Sequence, residues 1–111
     1  MFDIIAYRCN NTLMNQLWRT EKTEELFKAF LQLKTTNEVA DFCRDLMTEA
    51  EMAEFAGRFA VAEGLNAGKP QRQVSKETGV SIATVTRVNQ WLRRGMGGYI
   101  LALKRLHSHP R

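Results

Sequence analysis

The stretch Gly79–Gly95, GVSIATVTRVNQWLRRG, decides the reading of the whole chain. It opens on a glycine, which adopts the left-handed backbone of a tight turn without steric cost. Ser81 follows as an N-cap. From there Val85, Val88 and Leu92 recur at i, i+3 and i+7, the spacing of a buried helical stripe. At 3.6 residues per turn, Ala83, Thr86, Arg87, Gln90 and Arg94 fall on the opposite side. The helix is expected to end at Arg94, where GMGG breaks the pattern. Upstream, Pro70 suits a first helical turn, and Gln71–Glu77 makes a short helix with Val74 inward. Thr78-Gly79-Val80 is then a tight turn sealed by Val80. Two short helices joined by a glycine-containing turn predict a helix-turn-helix at about residues 70–94.

The exposed side chains suit duplex DNA. Ser81, Ile82, Ala83 and Thr84 lie at the N-terminal end of the second helix, which enters the major groove first in this motif. Arg72 matches guanine O6/N7 and Gln90 matches adenine. Ile82, Ala83 or the Thr84 methyl group suits thymine methyls. Lys69, Lys76, Arg93 and Arg94 are expected to hold phosphates, which fixes register without reading sequence. Gln71, Thr86 and Arg87 complete the expected DNA-facing set. A solvated amphipathic helix would show the same polar face, and helix-turn-helix units also bind other proteins.

The charge distribution favours DNA. The 111-residue chain has a net charge of +4. Residues 1–68 hold seven Lys/Arg and eleven Asp/Glu, whereas residues 69–111 hold nine Lys/Arg and one acid, Glu77. The first part sums to −4 and the second to +8, so the sign changes where the reading unit begins.

The remaining sequence is helical in period, without strict alternation, so an all-α fold is expected. A helix is predicted over about Asn11–Lys34, with Leu13, Leu17, Phe27, Phe30, Leu31 and Leu33 apolar. Thr35-Thr36-Asn37-Glu38 and Thr48-Glu49-Ala50-Glu51 are capping boxes. The first starts a short helix that carries Val39, Phe42, Cys43 and Leu46 inward. The second starts a helix to about Asn66 with Met52, Phe55, Phe59, Ala62 and Leu65 on one stripe. Gly68 is its expected C′ residue. A last helix covers Tyr99–His107, with Ile100, Leu103 and Leu106. Residues 1–10 are expected to be a disordered arm or an extension that packs on a partner, and 11–111 a single helical domain. These stripes exceed what one small chain covers, which predicts a homodimer.

Several classes are disfavoured. No run reaches the roughly 18–20 apolar residues of a membrane span, and no signal peptide is recognised. Cys9 and Cys43 lack metal or disulfide-framework spacing, which points to reduced thiols in the cytoplasm. His107 and His109 sit at the far end. No metal site, cofactor or catalytic constellation is expected, and a small-molecule effector is left undefined.

MTEAEMAEFAGRFAVAEGL (Met47–Leu65), GKPQRQVSKETG (Gly68–Gly79) and IATVTR (Ile82–Arg87) resemble the Trp repressor superfamily. VNQWLRRGMGGY (Val88–Tyr99) is similar to its branch of Trp-repressor-related proteins, YerC/YecD. The resemblance covers about Leu26–Leu106. It implies an intertwined all-α homodimer with a helix-turn-helix at each end. It also implies a tryptophan slot framed by two arginines, for which Arg58 and Arg87 are the matching residues. Arg58 equally suits an i,i+4 pair with Glu54, and Arg87 a phosphate contact. Where the family has glycine and then serine, this chain has Val88 and Trp91. Trp91, four residues beyond Arg87, is within reach of a cation–π contact with it. The expectation is a pocket remnant of Arg58, Arg87, Val88 and Trp91, with Trp91 filling part of the slot from within. The expected function is a sequence-specific DNA-binding regulator, a repressor, that does not use tryptophan. The alternatives are a protein-interaction module of the transcription machinery and an RNA-binding regulator.

Overall fold

A computed structural model describes residues 16–108. The expected arm 1–10, Cys9, Leu13, His109 and the start of the first predicted helix lie outside the described residues. Among those residues every regular element is an α-helix. The described residues divide into two compact units, one up to Cys43 and one from Arg44.

In the first unit, α1 spans Glu21–Gln32. The sequence predicted helix through residues 17–20, and the structure places a cap there instead. Thr20 is extended and its hydroxyl accepts from the Thr23 N–H, while the Thr23 hydroxyl accepts from the Thr20 N–H. This reciprocal pair satisfies two donors that a helix start leaves open. Arg19 reinforces it with two bonds to Glu24, at 2.6 and 2.9 Å. Those bonds hold the Glu24 carboxyl below its ordinary range. Trp18 meets Phe27 edge to face, with ring centroids 6.1 Å apart.

Helix α2 spans Thr36–Leu46. Thr35 caps it through the Glu38 N–H at 3.1 Å, but the Glu38 carboxylate turns to the Lys34 N–H at 2.8 Å. The box thus closes one residue earlier than predicted. Phe30 and Phe42 join α1 and α2 edge to face at 5.1 Å. Neither helix buries a residue fully, and Leu31 is 81% exposed. Val39 and Leu46, expected inward, are exposed as well.

The second unit carries the core. Helix α3, Glu49–Asn66, begins with the predicted box: Thr48 accepts from the Glu51 N–H at 3.0 Å, and Glu51 accepts from the Thr48 N–H at 2.9 Å. It ends in a Schellman motif. The Lys69 N–H reaches the Gly64 carbonyl and the Gly68 N–H reaches the Leu65 carbonyl, with Gly68 at φ +94°.

Helices α4 (Gln71–Thr78), α5 (Ile82–Arg94) and α6 (Gly98–Ser108) all pack on α3. Pro70 is the N-cap of α4, which starts at Gln71 as expected. The core consists of Val61, Ala62, Leu65, Val74, Val85, Val88, Leu92 and Leu103. The stripe expected on α3 is therefore split. Ala62 and Leu65 are buried beside Val61, which the sequence reading missed, whereas Phe55 is exposed. On α6 only Leu103 of the predicted trio is buried.

Close approach of α4 to α3 depends on a missing side chain. A Cβ built on Gly64 would lie 3.1 Å from Val74 Cγ2, and one on Gly57 would lie 3.3 Å from Val80 Cγ2. Those distances are tighter than ordinary packing, so the two glycines form a notch for the reading unit.

Leu103→Ala should lower the unfolding free energy by about 2–5 kcal/mol, because it opens a cavity in this core. Lys104→Ala, exposed on the same helix, should stay within about 0.5 kcal/mol. Chemical denaturation of both variants checks the contrast.

Candidate nucleic-acid interface

The turn between α4 and α5 is closed by short polar side chains. Gly79 stands at φ +76° and its N–H bonds the Ser75 carbonyl at 2.9 Å. The Ser75 hydroxyl donates to the Val80 carbonyl at 2.6 Å. Thr78 donates its hydroxyl to the Val74 carbonyl at 2.7 Å and accepts from the Val80 N–H at 3.2 Å. Ser81 then caps α5 by accepting from the Thr84 N–H at 3.3 Å, and its hydroxyl donates to the Thr84 hydroxyl at 3.1 Å. These bonds fix the path of the chain between the two helices.

Helix α5 separates its faces as its periodicity predicts. Val85, Val88 and Leu92 are buried, while Ile82, Ala83, Thr86, Arg87, Gln90 and Arg94 are exposed. Thr84 lies half-buried at the boundary, and Ser81 is exposed at the helix start.

The expected phosphate holders fall into two groups. Lys76 and Arg94 are exposed and engage no partner among the described residues, as do Arg72 and Arg87. Lys69 is engaged: its ammonium pairs with Glu77 at 2.8 Å. Glu77 also accepts from the Gln73 amide at 2.9 Å. The Lys69 bond first, and then the Gln73 bond, hold the Glu77 carboxyl below its ordinary range. Arg93 is engaged too. It bonds Asn89 at 3.3 Å and the Leu65 carbonyl near the end of α3 at 3.4 Å. It thus ties α5 to α3 as well as lying near the basic surface. The pairing of Glu77 with Lys69 was not expected from the sequence. Glu77 had a signal, as the one acid in the basic half and four residues beyond Gln73.

Gln71, at the first position of α4, is half-buried and accepts a hydrogen bond from the Thr86 hydroxyl at 2.9 Å. Helices α4 and α5 are thereby linked through two residues of the expected DNA-facing set.

The expected pocket remnant is not assembled as predicted. Val88 and Trp91 are about 60° apart around a helix, and the core boundary runs between them. Val88 is buried, whereas Trp91 is 60% exposed in the single chain. Among the described residues, cation–π contacts join Arg19 to Trp18 and Arg58 to Phe55, rather than Arg87 to Trp91. Arg58 also pairs with Glu54 at 3.0 Å, the i,i+4 alternative weighed from the sequence.

Among the described residues no group of three or more His, Cys, Asp and Glu side chains could hold a metal ion. No helix there is long and apolar enough to cross a membrane.

Comparison with known proteins agrees with this geometry. The sequence pattern of the Trp repressor protein family matches residues 21–107. The chain is 36% identical over 88 residues to the uncharacterized protein YerC of Bacillus subtilis (strain 168), covering 79% of this chain and 85% of YerC. A TrpR-like protein from Eubacterium eligens superimposes with a TM-score of 0.78 at 36% identity, covering 87% of this chain and 99% of that one. A candidate Trp repressor from Staphylococcus aureus superimposes with a TM-score of 0.79 at 30% identity, covering 91% and 100%.

Glu77 gives a pH test. Its carboxyl is more acidic folded than unfolded, so its contribution is present above the ordinary value of 4.5 and lost as pH falls through the lowered folded value. Glu77→Gln should therefore lower Tm at neutral pH. The gap from the unmodified protein should close on acidification below that ordinary value. Thermal unfolding of both proteins across the acid range checks the sign.

Proposed function

This chain belongs to the Trp repressor family, and we propose that it is a transcriptional repressor that binds a two-fold operator as a homodimer, without tryptophan as corepressor. The family is one of DNA-binding regulators, and that general role extends to this chain. The observation that carries the finer reading is α5 itself. It keeps Ala83, Thr86, Arg87, Gln90 and Arg94 exposed while Val85, Val88 and Leu92 anchor it. Arg72 and Lys76 are exposed on the preceding helix, in the half of the chain that sums to +8.

In this mechanism the N-terminal end of α5 enters the major groove. Arg72 and Gln90 read base edges, and Lys76 and Arg94 grip phosphates. Gln71, Ser81, Ile82, Ala83, Thr84, Thr86 and Arg87 shape the rest of the contact. Lys69 joins once phosphate displaces Glu77. Arg93 contributes mainly charge, since its guanidinium is already bonded within the chain. Phosphate dominance makes binding steeply salt-dependent. Affinity should fall about 10³–10⁵-fold between about 50 and 200 mM salt for a dimer with about 6–10 phosphate contacts. Arg72→Ala should relax preference at one position in each half-site, whereas Arg94→Ala should weaken all duplexes alike. Binding to duplexes selected from random DNA checks both. Preferential retention of single-stranded RNA would favour the RNA-binding alternative, and retention of neither nucleic acid would favour protein docking.

Support for the dimer lies in apolar side chains that one chain leaves open: Leu31 on α1, Phe55 on α3, and Ile100, Leu101 and Leu106 on α6. Their burial against a second copy should make the unfolding midpoint rise with protein concentration. A constant midpoint together with a monomer mass would exclude it.

Two observations support independence from tryptophan. Valine occupies the place of the family's glycine and is committed to the core. Arg58 is committed to Glu54 and Phe55. Calorimetry should detect no micromolar tryptophan binding, and tryptophan should leave DNA affinity unchanged. Tight binding that strengthens the DNA complex would overturn this part.

A further inference from the structure

Thr86 and Gln71 are fifteen residues apart and on different helices, yet the Thr86 hydroxyl donates to the Gln71 amide oxygen at 2.9 Å. Among the described residues no other side-chain pair bonds α4 directly to α5. Thr86 lies on the exposed face of α5, and Gln71 is half-buried at the start of α4. A hydrogen bond so open to water adds little to folding, since water replaces it on loss. Its consequence lies in what it does to the glutamine.

A glutamine side chain is chemically ambivalent. Its oxygen accepts and its NH2 group donates, and a free glutamine can present both at once to adenine. The Thr86 hydroxyl engages the oxygen and thereby turns the NH2 group away from itself. We infer that Thr86 is a positioning residue that fixes Gln71 as a hydrogen-bond donor toward the duplex. The complementary group is an acceptor: a phosphate oxygen, or a base-edge acceptor such as guanine O6/N7 or thymine O4. The gain in affinity comes from holding one flexible side chain in its bound orientation before DNA arrives. This inference rests on the DNA-binding reading above.

The test uses the full chain and a duplex that the unmodified protein selects from randomised DNA. Thr86→Val keeps the shape of the side chain but removes the hydroxyl, and should weaken binding about two- to tenfold for each reading unit. Thr86→Ser should restore most of the loss. In a Gln71→Ala background, Thr86→Val should cost markedly less than in the unmodified protein, because the coupling has no second member. An equal loss in both backgrounds would overturn the inference, since Thr86 would then act on DNA by itself. Repeating the selection with Thr86→Val separates the two acceptors. A changed preference at one position per half-site identifies a base edge, and uniform weakening identifies a phosphate.

A DNA-free measurement separates this inference from the functional reading. By NMR relaxation, the Gln71 side-chain amide should be more ordered than that of exposed Gln90. Thr86→Val should release it while Tm is unchanged. An amide equally mobile with and without the hydroxyl would overturn the positioning role even if DNA binds. Failure of the unmodified protein to select any duplex would overturn the DNA-binding reading and the donor role with it, whereas the NMR result would still decide whether Thr86 orders Gln71.

Discussion

The absent side chain of Gly64 lets Val74 lie against α3, and the exposed face of α5 depends on that contact. A Cβ at Gly64 would stand 3.1 Å from Val74 Cγ2, and Gly57 repeats the constraint at Val80. With α4 and the turn seated in this notch, Val85, Val88 and Leu92 reach the same core from α5. Packing on one side thus aims the polar side. Small domains bury limited surface, and this one concentrates its burial where α3, α4, α5 and α6 meet. The hydroxyls of Ser75 and Thr78 bond the backbone on either side of the intervening turn and so hold the two helices in register.

Electrostatics then sorts the basic surface. Lys69 and Arg93 are bonded within the protein, while Arg72, Lys76, Arg87 and Arg94 engage no partner among the described residues. Exposed ion pairs contribute little stability, so the pairing of Lys69 with Glu77 matters mainly as competition. Any anion approaching Lys69 meets the Glu77 carboxylate, which is itself steadied by Gln73. Cations already bonded inside the protein contribute field more than direct grip, and those without such bonds are available to phosphates at once.

The reading unit was largely legible in the sequence because its signals are local. The turn glycine, the Ser81 cap and the spacing of Val85, Val88 and Leu92 each act within a few residues. The Thr48–Glu51 box and the end of α3 at Gly68 were legible for the same reason. The Thr20 cap was not, since Thr-x-x-Thr is a weaker signature than Thr-x-x-Glu and apolar residues continue on both sides of it. The stripe on α3 was divided because apolar residues surround that helix. Periodicity alone does not say that the side carrying Val61 faces α4 and α5 while Phe55 faces away. Trp91 lies outside the core for a related reason. A helical wheel puts it near Val88, but the edge of the core falls between them. The Thr86–Gln71 and Arg93–Leu65 bonds are tertiary, and no spacing rule announces them.

The central claim is that one rigid unit, α4 with α5 seated on α3, presents a DNA-reading face. Amide chemical-shift mapping during titration with a selected duplex tests it most directly. The account predicts that the largest changes cluster at Gln71, Arg72 and Ser81–Gln90, with smaller ones at the buried anchors Val74, Val85 and Leu92. Changes concentrated on α1 and α2, with α5 unperturbed at saturating DNA, would contradict it.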